Sequence, residues 1–196
     1  GSLNIFKELK TIKNIKKVLD DINPDILHTF MHKPNIYGNL TNHKNRINTI
    51  TGLGSFFIHN DIKSKIIKNI ILLGYKFTTK TTKKVIFQNS DDLKLFINKK
   101  IIPQNKAVLI KSSGIDTENF KPIPKDEKLL KELNLDKKIV VLMIARVLKD
   151  KGVEEYIKMA NMLKDKAVFL YVGDIDKGNK NSSSPEWGSV KYLGFR

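Results

Sequence analysis

The chain has 196 residues, 40% of them hydrophobic, which is enough for one large domain or two small ones with a buried core. It has no cysteine, which excludes disulfides and thiolate metal sites, and no run of 18 apolar residues that would predict a membrane-spanning helix. The net charge of +16 favours a polyanionic partner, but only three of the 36 basic residues are arginine, so a genome-wide bias toward lysine explains it equally well.

Strand and helix patterns alternate along the first part of the chain. In chain order we predict an amphipathic helix over 4–22, a strand over 25–30, a helix over 34–44, a strand over 46–50, a basic helix over 61–80, a strand over 83–88, a helix over 91–100 capped by Asn89 or Ser90, and a strand over 107–111. The basic helix suits either an anionic membrane surface or an ordinary core-facing position with a solvated lysine face.

Residues 112–128 contain two prolines, a glycine and many polar side chains, which predicts the domain boundary. Beyond it we predict a helix over 129–135, a strand over 138–145, a helix over 152–164, and strands over 167–172 and 190–195. The continuous apolar run 138–145 is typical of a strand buried on both faces. The alternation predicts an α/β fold with parallel sheets in two domains, 1–120 and 121–196. Both sets are short, so we expect an internal fragment of a larger protein.

Arg146 and Lys151 form the most specific candidate site. Arg146 follows a buried strand, and ligands of open α/β sheets bind beyond the carboxyl ends of the strands. Lys151 precedes the next helix, whose free N–H groups favour an anion, with Asp150 as a plausible N-cap. The pattern fits a phosphate clamp. It also fits a capped helix with incidental lysines, because this spacing of an arginine and a lysine is common by chance.

Three other places at strand ends are weaker candidates. Gly173 and Asp174 close the strand 167–172, where a glycine allows either close ligand approach or a tight turn. Gly52, Gly54 and Ser55 form a loop after the strand 46–50, which could line a cleft or simply turn the chain. His28 and His32 bracket the end of the strand 25–30 and are candidate bases or structural residues. No spacing typical of metal ligands occurs, so we predict no metal.

Several motifs, in order, resemble the GT-B glycosyltransferases of family 4. The segments are PDILHTFMHKPNIYG, VIFQNSDDLKLF, VLIKSSGIDTENFKP, VVLMIARVLKDKGVEEYIKMANML, FLYVGD and VKYLGF, which together span nearly the whole chain. Within that family, TGLGSFF, LMIAR and MLKDKA are similar to the N-acetylgalactosaminyltransferases that extend a bacillosamine carried on undecaprenyl diphosphate.

The resemblance implies two Rossmann-like domains, both incomplete here: an acceptor domain in 1–120 and a nucleotide-sugar domain beginning at 121. It implies metal-independent, retaining transfer of a hexose, an N-acetylhexosamine, from a UDP-sugar to a lipid-linked glycan at the inner face of the cytoplasmic membrane. Arg146 and Lys151 would bind the donor diphosphate. Gly173 and Asp174 would lie near the donor, and the loop of Gly52, Gly54 and Ser55 would face the acceptor.

The sequence also departs from the family. Thr51 stands where many relatives have histidine, and the opening glycine-rich loop and the acidic pair of the family would lie outside residues 1–196. We therefore expect no turnover from this chain alone. Two alternatives stay open: a non-catalytic nucleotide-binding Rossmann protein, or a basic module that binds nucleic acid or a lipid surface, although the few arginines argue against nucleic acid.

Overall fold

The structure is a computed structural model that describes residues 5–57, 60–135, 139–179 and 181–196. It divides into two compact units, residues 1–120 (unit 1) and 121–196 (unit 2), and this division coincides with the predicted domain boundary. In the described part of the chain, no helix is long and apolar enough to cross a membrane.

Unit 1 is a four-stranded parallel sheet with helices between the strands. Its strands are β1 (Leu27–Phe30), β2 (Arg46–Ile50), β3 (Lys84–Phe87) and β4 (Ala107–Leu109), which lie side by side in chain order. Its helices are α1 (Ile5–Ile22), α2 (His32–Asn39), α3 (Ile62–Thr78) and α4 (Ser90–Asn98). Because each crossover joins adjacent parallel strands in one direction, the connecting helices α2, α3 and α4 pack on one face of the sheet.

Side-chain caps fix where two of these helices begin. The carboxylate of Asp61 accepts a hydrogen bond from the backbone N–H of Ser64 and starts α3, and the amide oxygen of Asn89 accepts one from Asp92 N–H and starts α4. Of the two predicted caps for α4, Asn89 is therefore the one used.

The helix predicted over 34–44 is shorter and begins earlier than its sequence pattern indicated. α2 begins at His32, because Met31 adopts a positive φ of 69° that ends the strand, and Pro34 falls within the first helical turn, where its missing N–H costs nothing. The helix ends at Asn39. The hydroxyl of Thr41 donates to the carbonyl of Gly38 at 2.7 Å, and the next residues lead into β2.

Unit 2 is a three-stranded parallel sheet in the order β5 (Ile139–Ile144), β6 (Ala167–Val172) and β7 (Val190–Tyr192). Helix α5 (Glu127–Glu132) and helix α6 (Val153–Met162) lie on opposite faces, since α6 packs in the cluster with Phe169 and Tyr171, whereas the end of α5 packs with Leu170.

The prediction that the strand 138–145 is buried on both faces is wrong for the residues that the structure describes. Leu142 is 50% and Ile144 72% exposed, whereas Val141 and Met143 pack on the core with α6. β5 is an edge strand that pairs with β6 alone among the described strands, and α5 covers β6 but not the outer part of β5. Residue 138 lies outside the described residues.

Candidate functional site

Arg146 lies two residues beyond the end of β5, at the carboxyl edge of the unit 2 sheet. Its guanidinium Nη1 donates to Asp176 Oδ2 at 2.9 Å, and the two side chains are 60% and 33% exposed. The Tyr171 hydroxyl donates to the Arg146 backbone carbonyl at 3.2 Å, and burial raises the pKa of Tyr171, so the hydroxyl keeps its proton. The arginine is therefore held at the sheet edge while its charge remains accessible.

Backbone hydrogen bonds join the segment after β5 to the segment after β6. Val147 N–H donates to the carbonyl of Asp174 at 2.9 Å, Lys149 N–H to that of Asn181 at 2.9 Å, and Ser183 N–H to that of Val147 at 3.1 Å. The sequence patterns predicted no element between the strands over 167–172 and 190–195, so these contacts were missed. They explain how Asp176 comes to lie beside Arg146.

Lys151 lies in a 3-10 turn, Lys149–Lys151, directly before α6, as its position in the sequence predicted. Asp150 is not the N-cap, which corrects the prediction. Gly152 occupies that position with a φ of 76°, in the left-handed conformation that glycine adopts readily, and no side chain caps the helix. The first N–H groups of α6 thus have no side-chain cap, and both Lys149 and Lys151 are exposed nearby.

Gly173 is required by packing. A Cβ on this residue would lie 1.7 Å from the backbone oxygen of Ala145, and its φ of 153° is one that other residues rarely adopt. The group that approaches this glycine is the backbone of the neighbouring strand end, which is a different reason for a glycine from the ligand approach or tight turn that the sequence suggested. That Gly173 lies near a donor stays a prediction. Asp174 is exposed, and its carboxylate accepts a hydrogen bond from Ile175 N–H at 2.8 Å.

The loop after β2 is open. Gly52 and Gly54 have φ of 144° and 75°, and a Cβ at either position would meet nothing within 4 Å. Thr51 begins the loop and is exposed, and Ser55 opens a short 3-10 turn, Ser55–Phe57. These glycines therefore allow the backbone to adopt positive φ values, and the space beside them is open.

His32 has both ring nitrogens engaged by protein groups. Nε2 lies 2.9 Å from the carbonyl oxygen of Leu53, which can only accept, so Nε2 donates and Nδ1 receives the Tyr75 hydroxyl proton at 3.2 Å. Burial raises the pKa of Tyr75 far above its usual range, so this proton is not lost. To act as a base, His32 would have to break one of these hydrogen bonds.

His28 lies within β1 and not beyond it. Its Nε2 is 2.8 Å from Thr49 Oγ1, and its ring lies against that of Phe30, with 4.3 Å between the ring centroids. His28 and Phe30 alternate with Thr29, which faces α2, so both lie on the face of the sheet opposite the connecting helices. His28 is exposed there, and the structure does not bring it to the same place as His32.

A buried polar network around β2 was also missed. Asn48 Nδ2 donates to Thr29 Oγ1, and Asn48 Oδ1 accepts from Asn39 Nδ2, both at 2.8 Å; Thr82 donates to Asn39 Oδ1 at 2.9 Å. Asparagine is frequent throughout this chain, so no sequence signal separated these buried residues from the surface ones. Among the residues described, no three His, Asp or Glu side chains come together as a metal site would require.

Comparison with known proteins relates both units to glycosyltransferases. Residues 2–89 match the family described as glycosyl transferase 4-like. Most of unit 1 is thus similar to that family. The prediction from the sequence motifs is thereby confirmed.

Two curated relatives match most or all of the chain. The N,N'-diacetylbacillosaminyl-diphospho-undecaprenol alpha-1,3-N-acetylgalactosaminyltransferase of Campylobacter jejuni is 39% identical, over 100% of this chain and 54% of its own length. The UDP-Gal:alpha-D-GlcNAc-diphosphoundecaprenol alpha-1,3-galactosyltransferase of Escherichia coli is 25% identical, over 88% of this chain and 46% of its own length. The chain thus spans about half the length of the curated relatives it matches.

Solved structures match the fold of the whole chain. Sucrose-phosphate synthase from Thermosynechococcus elongatus gives a TM-score of 0.71 at 17% identity, over 98% of this chain and 51% of that one. A glycosyltransferase from Rickettsia africae gives a TM-score of 0.63 at 23% identity, over 100% of this chain and 53% of that one. The predicted α/β fold of the GT-B type with parallel sheets is confirmed.

Proposed function

We propose that the protein containing this chain transfers an N-acetylhexosamine from a UDP-sugar to a lipid-linked glycan in bacterial surface-glycan or glycoprotein biosynthesis. The observation that carries the proposal is the 39% identity over the whole chain to a transferase whose acceptor is linked to diphospho-undecaprenol. The proposed place of action is the inner face of the cytoplasmic membrane. The proposed reaction proceeds with retention and without a metal ion.

In this reaction an acceptor hydroxyl oxygen bonds to the anomeric carbon. The bond from that carbon to the diphosphate breaks, UDP leaves with the electron pair, and the hydroxyl proton is released. The charge on the departing diphosphate is the quantity to stabilise, and a fixed cation lowers the barrier by doing so. Arg146 supports this role because its planar guanidinium can bind two phosphate oxygens, and Lys151 would add a second positive charge.

Asp176 has a specific consequence for donor binding. Its carboxylate already binds Arg146 at 2.9 Å, so a diphosphate that uses Arg146 must displace it or share the guanidinium with it. The pair is partly exposed, which keeps the cost of exchange low. We infer that Asp176 orients Arg146 in the absence of donor and releases it when the diphosphate binds.

The test is calorimetric titration of the chain with UDP-N-acetylgalactosamine and UDP in EDTA, followed by a transfer assay with a diacetylbacillosaminyl-diphospho-undecaprenol acceptor. We expect UDP-sugar binding that EDTA does not abolish, and a loss of affinity in Lys151→Ala that exceeds the loss in Lys149→Ala, its neighbour in the same turn. We expect negligible transfer from residues 1–196 alone.

The other outcomes separate the alternatives. UDP binding that is indifferent to acceptor in every longer form of the protein would indicate a non-catalytic nucleotide-binding protein. Binding to DNA or RNA that falls steeply with salt, together with no UDP binding, would indicate a nucleic-acid module. Clear single-turnover product from this chain would show that it holds the complete catalytic machinery.

A further inference from the structure

Helix α3 carries a second apolar face that the core of unit 1 does not use. Five large apolar side chains of this helix are each at least 52% exposed; we call them the α3 stripe: Ile62, Ile66, Ile70, Leu73 and Phe77. They recur at steps of four, four, three and four residues, so they form one continuous row along the helix. The row runs from the first residue of α3 to its last turn.

The stripe points away from the core. The buried residues of α3 are Ser64, Leu72 and Tyr75, and Tyr75 packs edge-on against Phe96 beneath the helix. At 100° per residue, the centre of the stripe lies about 180° around the helix from the centre of this buried face. Two opposite apolar faces explain why the sequence pattern could not choose between a core helix and a surface helix.

Lysines border the stripe. Residues 62–84 contain seven lysines and no carboxylate. Lys65 and Lys76 project along one border and Lys63 along the other, and the Lys80 ammonium lies 6.0 Å from the centre of the Phe77 ring. An apolar strip with cations on both borders matches the interface of an anionic bilayer, where apolar side chains enter the acyl region and ammonium groups reach the headgroups.

We propose that the α3 stripe docks unit 1 on an anionic membrane surface. The proposal deepens the proposed function, on which it rests for its biological reason: an acceptor carried on a polyprenyl lipid is reached at such a surface. The lysine charges at its borders favour a membrane over a second copy of the chain as the partner of the stripe. A symmetric contact with a second copy would bring the two lysine-bordered faces together, whereas anionic headgroups neutralise them. Nucleic acid would leave five aliphatic and aromatic side chains without an apolar partner.

The experiment is vesicle co-sedimentation of the 196-residue chain with pure phosphatidylcholine and with a 70:30 mixture of phosphatidylcholine and phosphatidylglycerol. Two double variants test the two components: Ile66→Gln with Ile70→Gln for the stripe, and Lys65→Gln with Lys76→Gln for its border. The controls are Ile123→Gln with Met162→Gln, two apolar residues that are more exposed than Ile66 and Ile70, and Lys128→Gln with Lys158→Gln. Sedimentation velocity of each variant reports its oligomeric state.

We expect binding to the mixed vesicles only, with the stripe and border variants each reducing the partition coefficient roughly tenfold or more and the controls less than twofold. Equal binding by the stripe variant and its control would overturn the proposal. The absence of vesicle binding would also overturn the proposal and would assign the stripe to another segment of a longer polypeptide. A dimer that the stripe variant dissociates would overturn it too and would assign the stripe to a second copy. UDP titration of the same variants keeps the two proposals separate, because Arg146 and Lys151 lie in unit 2.

Discussion

The two units stabilise themselves by different means. All nine of the buried polar or charged side chains among the described residues lie in unit 1, where asparagines and threonines bind one another between α2 and β2. Unit 2 has an aromatic and aliphatic core. Its closest packing and its loop-to-loop hydrogen bonds lie at the strand ends, where Gly173 packs on Ala145 and two loops join through backbone hydrogen bonds.

The difference shows that a glycine after a strand can be required for different reasons. Gly54 has open space around it, whereas Gly173 is in contact with a neighbouring backbone. Arg146 directly follows the backbone of Ala145, on which Gly173 packs, so we expect the proposed phosphate site to depend on packing in unit 2. In unit 1, by contrast, the loop after β2 is open, and the specific hydrogen bonds lie in the polar core.

The largest expected effect is that of Gly173→Ala. Because the added methyl would overlap a backbone oxygen that cannot move without displacing β5, we expect a loss of roughly 3 kcal/mol or more in the stability of unit 2. Unit-resolved hydrogen exchange measures it. The matched variant Gly54→Ala should cost about 1 kcal/mol, since only the positive φ opposes it. Equal costs for the two variants would contradict the distinction between open and packed glycines.

Asn48→Ala is the corresponding change in unit 1. It removes a buried side chain that binds Thr29 and Asn39 and leaves their polar atoms without it, so we expect a loss of about 2 kcal/mol. Denaturant unfolding followed by hydrogen exchange of unit 1 measures this. Asn45→Ala, at an exposed position whose amide donates to the Asp25 carbonyl, should cost less than about 0.5 kcal/mol. A result in which both variants behave alike would show that the network contributes nothing.

Asp176→Asn sharpens the comparison at the charged site of unit 2. The substitution removes the carboxylate that binds Arg146, so UDP should bind more tightly, by about fivefold if the pair contributes about 1 kcal/mol. Calorimetry measures the affinity, and Asp165→Asn, a carboxylate after α6, serves as a control that should leave it unchanged. Weaker UDP binding in Asp176→Asn would mean that orientation of Arg146 matters more than competition.

The smallest effect concerns the ion pair of unit 1. Hydrogen bonds from Lys33 and then Tyr37 hold the pKa of Glu8 below its ordinary value of 4.5. A lowered carboxyl pKa stabilises the folded form above pH 4.5 and loses that contribution as the pH falls through the folded value. Amide protection in α1, corrected for intrinsic exchange, should therefore decrease below pH 4.5, and Glu8→Gln should remove this dependence. Unchanged protection at low pH would show that the pair does not hold α1 on α2.

Much of the fold follows from local signals. β2 and β6 occupy the predicted residues because short apolar runs between turn residues leave little choice, and Asn89 and Asp61 mark their helices by capping. The start of α2 could not be predicted, because it depends on the positive φ of Met31, a conformation that non-glycine residues rarely adopt and that no local sequence signal indicated.

The candidate site also has residues that local sequence signals reveal and contacts that they do not. Arg146 could be found because a strand end and a following helix are visible in the sequence. Its partner Asp176 could not, since the contact depends on two loops 30 residues apart that meet only in the folded sheet. The structural engagement of His32 was equally hidden, because Tyr75 lies 43 residues away on α3.

The central claim is that Arg146 binds the diphosphate of the donor, and a paired titration of Arg146→Ala with UDP and with uridine tests it most directly. Because uridine has no phosphate, we predict that the variant weakens UDP binding tenfold or more, the effect of about 1.4 kcal/mol from a lost charge-assisted hydrogen bond, while uridine binding stays unchanged. Equal effects on both ligands, or no effect on either, would contradict the assignment of Arg146 to the diphosphate.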